Sequence, residues 1–384
     1  MSEWRKFIMI YLDNAATTFP KPAIVCGSIL NAIQNFGANP GRSGHRLSIE
    51  AARLVYMSRE SVCSILGGSD PFDFFFTLNC TDSLNMAIKG LLKPGDHVVT
   101  TIYEHNSVLR PLEGLAAQGI ITYDAAEPEN GKLTAEKILS LIRPHTRMVI
   151  VNHVSNVTGY VNDIDAIGAL CRKKGIIFMV DAAQSAGTHE INLSEQPIDI
   201  LCTSGHKGLY GPQGCGVLYL KPGLEIQPLR TGGTGSQSES LEQPDMRPDR
   251  YESGTCATPA IAALGTAIEY IKPKIKEIRE REIYLAQCMN EGLRNISGVT
   301  VYCDQTIKSN VLSFNIKDMS SASVANILDK EYSIAVRSGL HCAPLVHRYL
   351  GTLETGAVRA SLGMFNNVRE IYAFLSAVEE IARE

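Results

Sequence analysis

Between residues 72 and 220 the chain alternates short apolar runs with amphipathic stretches. Seven runs have the length and β-branched or aromatic content of buried strands: 72–78, 97–103, 120–124, 147–153, 176–180, 198–202 and 216–220. Between them, 82–92, 107–118, 134–142 and 164–174 carry apolar residues at helical spacing, as does 48–66 upstream. Strands that alternate with helices predict an α/β domain with a mostly parallel seven-stranded sheet covered on both faces. In such a sheet ligands bind at the carboxyl ends of the strands.

Beyond residue 220 the rhythm changes. The stretch 230–240 is too rich in glycine and serine for regular structure and predicts a mobile loop. A long helix is expected from Pro259 to about residue 290, with a lysine and proline cluster at 272–276 marking a domain boundary. Strands at 310–316, 334–337 and 358–364, a helix at 323–331 and a final amphipathic helix from Asn367 predict a small α+β domain. The expected organisation is a large domain, 16–272, and a small one built from 1–15 and 273–384.

Bulk properties narrow the function. At 384 residues two domains are favoured over one. A hydrophobic fraction of 45%, a charged fraction of 20% and a net charge of −4 fit a globular protein and give no sign of nucleic-acid or membrane-surface binding. No run approaches the roughly 18 apolar residues of a membrane span, and the first residues do not resemble a leader, so a cytoplasmic location is expected. The ten cysteines are scattered without a CxxC pair. Cys202, His206 and Cys215 lack a fourth ligand at a zinc-site spacing, so no metal site is expected.

The candidate chemistry falls at predicted strand ends. Lys207, in Ser204-Gly-His-Lys207, follows the 198–202 run and precedes glycines at 208, 211, 214 and 216. Such a lysine is either a surface residue in a turn or an amine made nucleophilic by its surroundings, able to form a Schiff base with an aldehyde such as pyridoxal phosphate. Ser204 and His206 suit a phosphate. Asn79-Cys-Thr81 reads as a helix start, with Thr81 either a plain N-cap or a phosphate donor. His105 is placed to begin a helix or to stack on a flat ring. Arg42 and His45 lie in a turn-rich loop. Asp181, directly after an apolar run, must cap a turn or pair with a cation, and a protonated pyridine nitrogen is such a cation. In the small domain, Cys342 lies in a polar loop with Arg337 and His341, where positive charge favours the thiolate. Arg359, inside an apolar strand, needs an anion: an internal carboxylate or that of an amino-acid substrate.

Taken together, Tyr11-Leu-Asp-Asn-Ala-Ala-Thr-Thr, His153-Val-Ser-Asn-Val-Thr-Gly159, Asp181-Ala-Ala-Gln184, Ser204-Gly-His-Lys207 and Arg337-Ser-Gly-Leu-His-Cys-Ala343 resemble the cysteine desulfurases, in the class V aminotransferase group of PLP-dependent transferases of fold type I. The short Arg-x-Gly-x-His-Cys-Ala loop is similar to the subgroup of SUF-type desulfurases and selenocysteine lyases. The resemblance implies that Lys207 bonds pyridoxal 5′-phosphate, Asp181 pairs with its ring nitrogen, Gln184 binds its hydroxyl and His105 stacks on it. Thr81, Ser204 and His206 would hold the phosphate, completed by Thr255 from the other subunit of a homodimer. Asn156 and Arg359 would hold the carboxylate of L-cysteine, and Cys342 would take its sulfur as a persulfide for an acceptor protein, in iron–sulfur cluster assembly or another thiolation route. Alternatives are a selenocysteine lyase acting on L-selenocysteine, or an aminotransferase, kynureninase-like hydrolase or racemase that does not use the cysteine.

Overall fold

The computed structural model describes residues 9–41, 43–129 and 132–383, so Arg42 and the first eight residues lie outside the described part. Up to residue 220 the elements are β1 (Ile10–Tyr11), α1 (Ala23–Asn35), α2 (Arg46–Ile65), β2 (Phe74–Thr77), α3 (Cys80–Leu91), β3 (His97–Thr101), α4 (Asn106–Ala117), β4 (Thr122–Ala126), α5 (Ala135–Leu141), β5 (Thr146–Asn152), α6 (Ile164–Lys174), β6 (Ile177–Asp181), β7 (Ile200–Ser204) and β8 (Gly216–Leu220). There follow α7 (Thr258–Ile271), α8 (Ile275–Asn295), β9 (Val299–Val301), β10 (Val311–Ile316), α9 (Ser321–Tyr332), β11 (Ile334–Ala335), β12 (Arg337–Gly339), α10 (Pro344–Tyr349), β13 (Ala357–Ser361) and α11 (Val368–Arg383).

Among the described residues two compact units result, one within 21–153 and 162–275, the other of residues 9–20, 154–161 and 276–383. The larger holds a seven-stranded sheet in the order β2-β8-β7-β6-β5-β3-β4, parallel except where β8 runs against both β2 and β7. Every residue of β2, β3, β7 and β8 is buried, which is why apolar residues predominate there without a strict alternation, the polar ones being His97 and the threonines and serine toward the strand ends. Leu84, Ile88 and Leu91 of α3 and Val108 and Leu112 of α4 close over Met148, Ile150, Met179, Ile200 and Leu218 of the sheet. A buried ion pair fastens the segment after β8: Arg59 of α2 grips both carboxylate oxygens of Glu252 at 2.6 and 2.8 Å, and Glu252 also accepts the Phe76 N–H.

The smaller unit has an antiparallel sheet in the order β12-β13-β10-β9 and a parallel pair, β1 with β11. Leu312 and Phe314 of β10, Val358 and Ala360 of β13, Leu285 and Met289 of α8, and Ile371, Phe374 and Val378 of α11 form its core.

Three sequence expectations need correction. The single helix from Pro259 is interrupted by a 3₁₀ turn at Lys272–Lys274; Pro273 has no N–H to donate and its ring crowds the preceding turn. The strand expected at 334–337 divides between two sheets, β11 and β12. Segment 154–161, expected in the large domain, belongs to the smaller unit, where Ser309 donates to the Gly159 carbonyl at 2.8 Å and Ser313 to that of Val157 at 2.6 Å.

The loop after β7 is packed against residues 186–188 without slack. Gly187 has φ +86°, and a Cβ there would lie 2.2 Å from the Gly208 carbonyl oxygen. Gly187→Ala is expected to cost about 3 kcal/mol or more, from a left-handed backbone plus displacement of the 208 peptide. Urea unfolding of the variant checks this, and an unchanged midpoint would contradict the packing.

Candidate active site

In the larger unit the chemistry-bearing side chains collect where the parallel strands end. Asp181 closes β6 and Ser204 closes β7, and Ser204 pairs through Gly216 with Thr77 at the end of β2. Gly216 permits this closeness, since a Cβ there would lie 2.4 Å from the Asn79 carbonyl carbon. The first turn of α3 is thereby brought to the end of β7.

Asn79, not Thr81, is the N-cap of α3: its Oδ1 accepts the Asp82 N–H at 3.0 Å. The plain-cap reading of Thr81 is therefore wrong. Thr81 lies one residue into the helix, with its hydroxyl 2.7 Å from that of Ser107. Ser107 in turn lies 2.8 Å from Nδ1 of His105, and that nitrogen also accepts the Ser107 main-chain N–H at 3.0 Å. An Nδ1 that accepts a main-chain N–H carries no proton, so a neutral His105 holds its proton on Nε2. His45 has an equivalent capping role on α2, its Nδ1 accepting from Ser48 at 3.2 Å.

Asp181 is buried. Its Oδ1 accepts the Ala183 N–H at 2.9 Å, with the Cys80 thiol 3.6 Å away. Burial pushes its carboxyl above the ordinary aspartate value, and the Ala183 N–H, the Lys207 charge and the Cys80 thiol only partly oppose this. Such a carboxylate is under-compensated and suits a cation. Burial also drives the Cys80 and Cys202 thiols well above their ordinary values, so both stay protonated. Gln184 is buried in the turn that follows. Ser204 is 3% exposed, and its Oγ has no hydrogen-bond partner among the described residues. Lys207 sits on a loop closed by Tyr210 N–H to Lys207 O at 2.8 Å and Gly211 N–H to Gly205 O at 2.8 Å. Lys21 donates to the His206 carbonyl at 2.7 Å. Burial lowers the Lys21 ammonium to about 8, and burial with the Lys207 and Lys21 charges lowers the His206 imidazole to about 4. Thr255 stands apart from this group: it is exposed, and its hydroxyl accepts from Asn39 at 3.4 Å.

The smaller unit carries the other candidates. Cys342 is at the tip of a turn closed by Ala343 N–H to Leu340 O at 2.9 Å, and both central residues are left-handed, His341 at φ +49° and Cys342 at +58°. Each non-glycine residue in that region costs about 1–2 kcal/mol, so neighbouring contacts must impose the conformation. Asn156 Nδ2 donates to the His341 carbonyl at 2.7 Å, the His341 ring stacks on His347 at 5.7 Å, and its Nε2 lies 3.3 Å from the Arg337 carbonyl. Burial, reinforced by Arg359, pushes the His341 imidazole down to about 3, so the ring stays neutral. Arg337 Nη2 lies 3.8 Å from the Cys342 sulfur.

Arg359 on β13 is 1% exposed. It bonds Asp13 Oδ1 at 2.8 Å and the Asn156 carbonyl at 3.1 Å, while its Nε and the Asn156 Oδ1 are buried without partners among the described residues. The internal-carboxylate reading of Arg359 is thus present in the structure. Arg337 and Arg359 are directly cross-strand, and Asp13 is the one carboxylate bonded to Arg359 among the described residues. Two guanidinium groups with one such partner leave room for a second anion.

Sequence reasoning missed Ser107, Asp13, Cys80 and Glu104. Ser107 was detectable as the last residue of Glu-His-Asn-Ser at a helix start. The other three act through contacts across long sequence separations. All ten cysteines are free thiols, no group of metal ligands occurs among the described residues, and no described helix is long and apolar enough to cross a membrane.

The model of the aminotransferase class-V family matches residues 10–374. A "Probable cysteine desulfurase" of Methanothermobacter thermautotrophicus is 33% identical over 97% of this chain and 94% of its own length. A "Cysteine desulfurase IscS" of Vibrio atlanticus is 34% identical over 94% of this chain and 90% of its own. Among solved structures, the apo cysteine desulfurase of Thermococcus onnurineus superposes with a TM-score of 0.92 at 36% identity, covering 98% of this chain and 95% of that one. The cysteine desulfurase CsdA of Escherichia coli gives 0.89 at 28% identity, with 98% and 95% covered. A strand-end cluster of lysine, aspartate and phosphate-type donors, and likeness along nearly the full length of both sequence and fold, lead to one assignment: this chain belongs to the class V aminotransferase family, among its cysteine desulfurases.

Proposed function

We propose that this protein is a pyridoxal 5′-phosphate-dependent cysteine desulfurase that converts L-cysteine to L-alanine and holds the removed sulfur as a persulfide on Cys342. The observation that carries the reading is the buried, under-compensated Asp181 carboxylate beside the charge of Lys207. The residues fit the cofactor. Ser204 Oγ is a buried donor without a partner among the described residues, and Thr81 and His206 lie on the adjoining segments, as a phosphate requires. Asp181 would accept from the pyridine nitrogen, Gln184 would bind the ring hydroxyl and His105 would cover the ring face. When bound, pyridoxal phosphate supplies an aldehyde for amines and an electron-poor ring that stabilises negative charge at the substrate α-carbon.

In this reading the Lys207 amine takes the substrate α-proton and returns it where needed. Arg359, with Arg337 opposite and Asn156 adjoining, binds the substrate carboxylate. The Cys342 thiolate attacks the substrate sulfur: an S–S bond forms, the C–S bond breaks, and its electron pair goes to the substrate Cβ, which is protonated to the methyl group of alanine. The terminal sulfur of the persulfide then passes by exchange to a thiol of an acceptor protein. A homodimer is part of the reading. Ile24, Leu30 and Ile33 of α1 and Leu47, Ile49 and Met57 of α2 are exposed apolar side chains of the kind a second subunit covers, and the exposed Thr255 would reach the partner's phosphate site.

Cys342→Ala is expected to keep the yellow lysine-bound cofactor while lowering persulfide and sulfide formation from cysteine by about 100-fold or more; unchanged sulfide release would exclude Cys342. Lys207→Ala is expected to lose the borohydride-reducible bond to the cofactor, and a surviving adduct at another residue would identify the wrong lysine. Asp181 has a raised folded-state pKa, so the folded protein binds the extra proton and stability falls as pH rises above the unfolded value of about 4. Asp181→Asn should therefore stabilise the cofactor-free protein at pH 7, with the gain vanishing toward pH 4, while weakening cofactor binding. Paired unfolding and cofactor titrations read both, and an equally stable or destabilised variant at pH 7 would contradict this account of Asp181.

A further inference from the structure

Glu104 is a carboxyl group that the reaction above does not use, and it is 0% exposed. It immediately precedes His105, in the turn that leads from β3 into α4. Main-chain pairing of β3 with β5 ends at Val99 and Val149. Beyond that point side chains hold the two strands together: Thr100 Oγ1 donates to the Ile150 carbonyl at 3.1 Å, and Glu104 Oε1 accepts the Asn152 N–H at 2.8 Å together with the Thr101 hydroxyl at 2.7 Å. Asn152 returns a bond from its Nδ2 to the Tyr103 carbonyl at 2.7 Å and is the register partner of Asp181 on β6. Asn162 holds Asn152 from the far side, through its carbonyl at 2.7 Å and its Oδ1 at 3.0 Å.

We propose that Glu104 is a positioning residue that works as a neutral carboxylic acid, tying the turn that carries His105 to the strand beside Asp181. Resting on the pyridoxal phosphate reading, this means Glu104 fixes the group that covers the ring face relative to the group that meets the ring nitrogen. Neutrality follows from the surroundings. Oε2 is buried and has no hydrogen-bond partner among the described residues, so an ionised carboxylate would leave half its charge unsolvated. Thr101 meets the group from β3, Asn152 meets it from β5, and the charge bearing on it is that of Asp181 at the end of β6. Burial pushes the Glu104 carboxyl up to about 8, against the pull of the Asn152 and Thr101 donors and with a further push from Asp181. A neutral Glu104 also leaves Asp181 as the anion offered to the pyridinium; a second negative charge there would raise the basicity of Asp181.

The test compares the parent, Glu104→Gln and Glu104→Ala. In cofactor-free protein the infrared band of a protonated carboxyl that Glu104→Gln removes, as distinct from any band of Asp181, should persist at pH 7 and disappear with a midpoint near pH 8. Because the folded-state pKa is raised, the parent loses stability between about pH 4.5 and 8, so the unfolding midpoint of Glu104→Gln should gain on the parent by about 3–5 °C between pH 5 and 8.5. A gap that stays constant with pH, or a parent lacking the band, overturns the neutral acid. Pyridoxal phosphate affinity of Glu104→Gln should remain within about 3-fold of the parent, while Glu104→Ala, which leaves the Asn152 N–H without its acceptor, should lose about 10-fold or more. Parent-like affinity in Glu104→Ala overturns the positioning role. If Glu104→Ala does not fold, the kcat profile decides: it should fall above pH 8 in the parent and be flat there in Glu104→Gln, and identical profiles overturn the proposal. The infrared and unfolding results do not involve the cofactor, so they stand apart from a failure of the pyridoxal phosphate reading, in which none of the three proteins would bind it.

Discussion

The larger unit depends on keeping a negative charge at a place where water cannot solvate it. Asp181 ends a strand inside the protein and is met by one main-chain N–H, a thiol and the charge of a nearby lysine. Each of these is weaker than a full ion pair, and the carboxylate is left under-compensated. The neighbouring architecture serves that deficit: parallel strands end together, Gly216 lets the first turn of α3 close in, and the packed loop after β7 holds Lys207. Stability is thereby exchanged for chemistry, as is common where pKa values are displaced.

The smaller unit solves a different problem with backbone strain. Its thiol is carried on two consecutive left-handed residues, neither a glycine, and the His341 ring, the Asn156 amide and the Arg337 carbonyl hold them there. The same Asn156 gives its carbonyl to Arg359, so the cysteine turn and the arginine pair share a support. The cysteine turn and the buried Arg359 guanidinium are therefore linked through one residue, Asn156.

The parallel sheet was readable because buried strands flanked by amphipathic helices leave a strong period in the chain, and α6 falls at 164–174, the span expected from that period. Asp181 stood out because a charge directly after an apolar run needs an explanation, Lys207 because it begins a glycine-rich loop just beyond such a run, and Cys342 because its loop is polar. What escaped was set by tertiary contact. Thr81 looked like a cap until the Asn79 side chain took that place. Asp13 pairs with an arginine 346 residues away, and no local pattern marks such a partner. Segment 154–161 follows a strand of one unit and packs in the other, a choice decided by Ser309 and Ser313.

That segment has a consequence for how the chain is made. The polypeptide passes between units at 20–21, 153–154, 161–162 and 275–276. During synthesis the larger unit has all its residues once Ile275 has emerged, whereas β1 must wait for β11, and Asp13 for Arg359, near the C-terminus. Neither unit is one uninterrupted stretch of the sequence. The early residues of β1 stay unpaired until β11 has emerged, so the smaller unit is completed after the larger one.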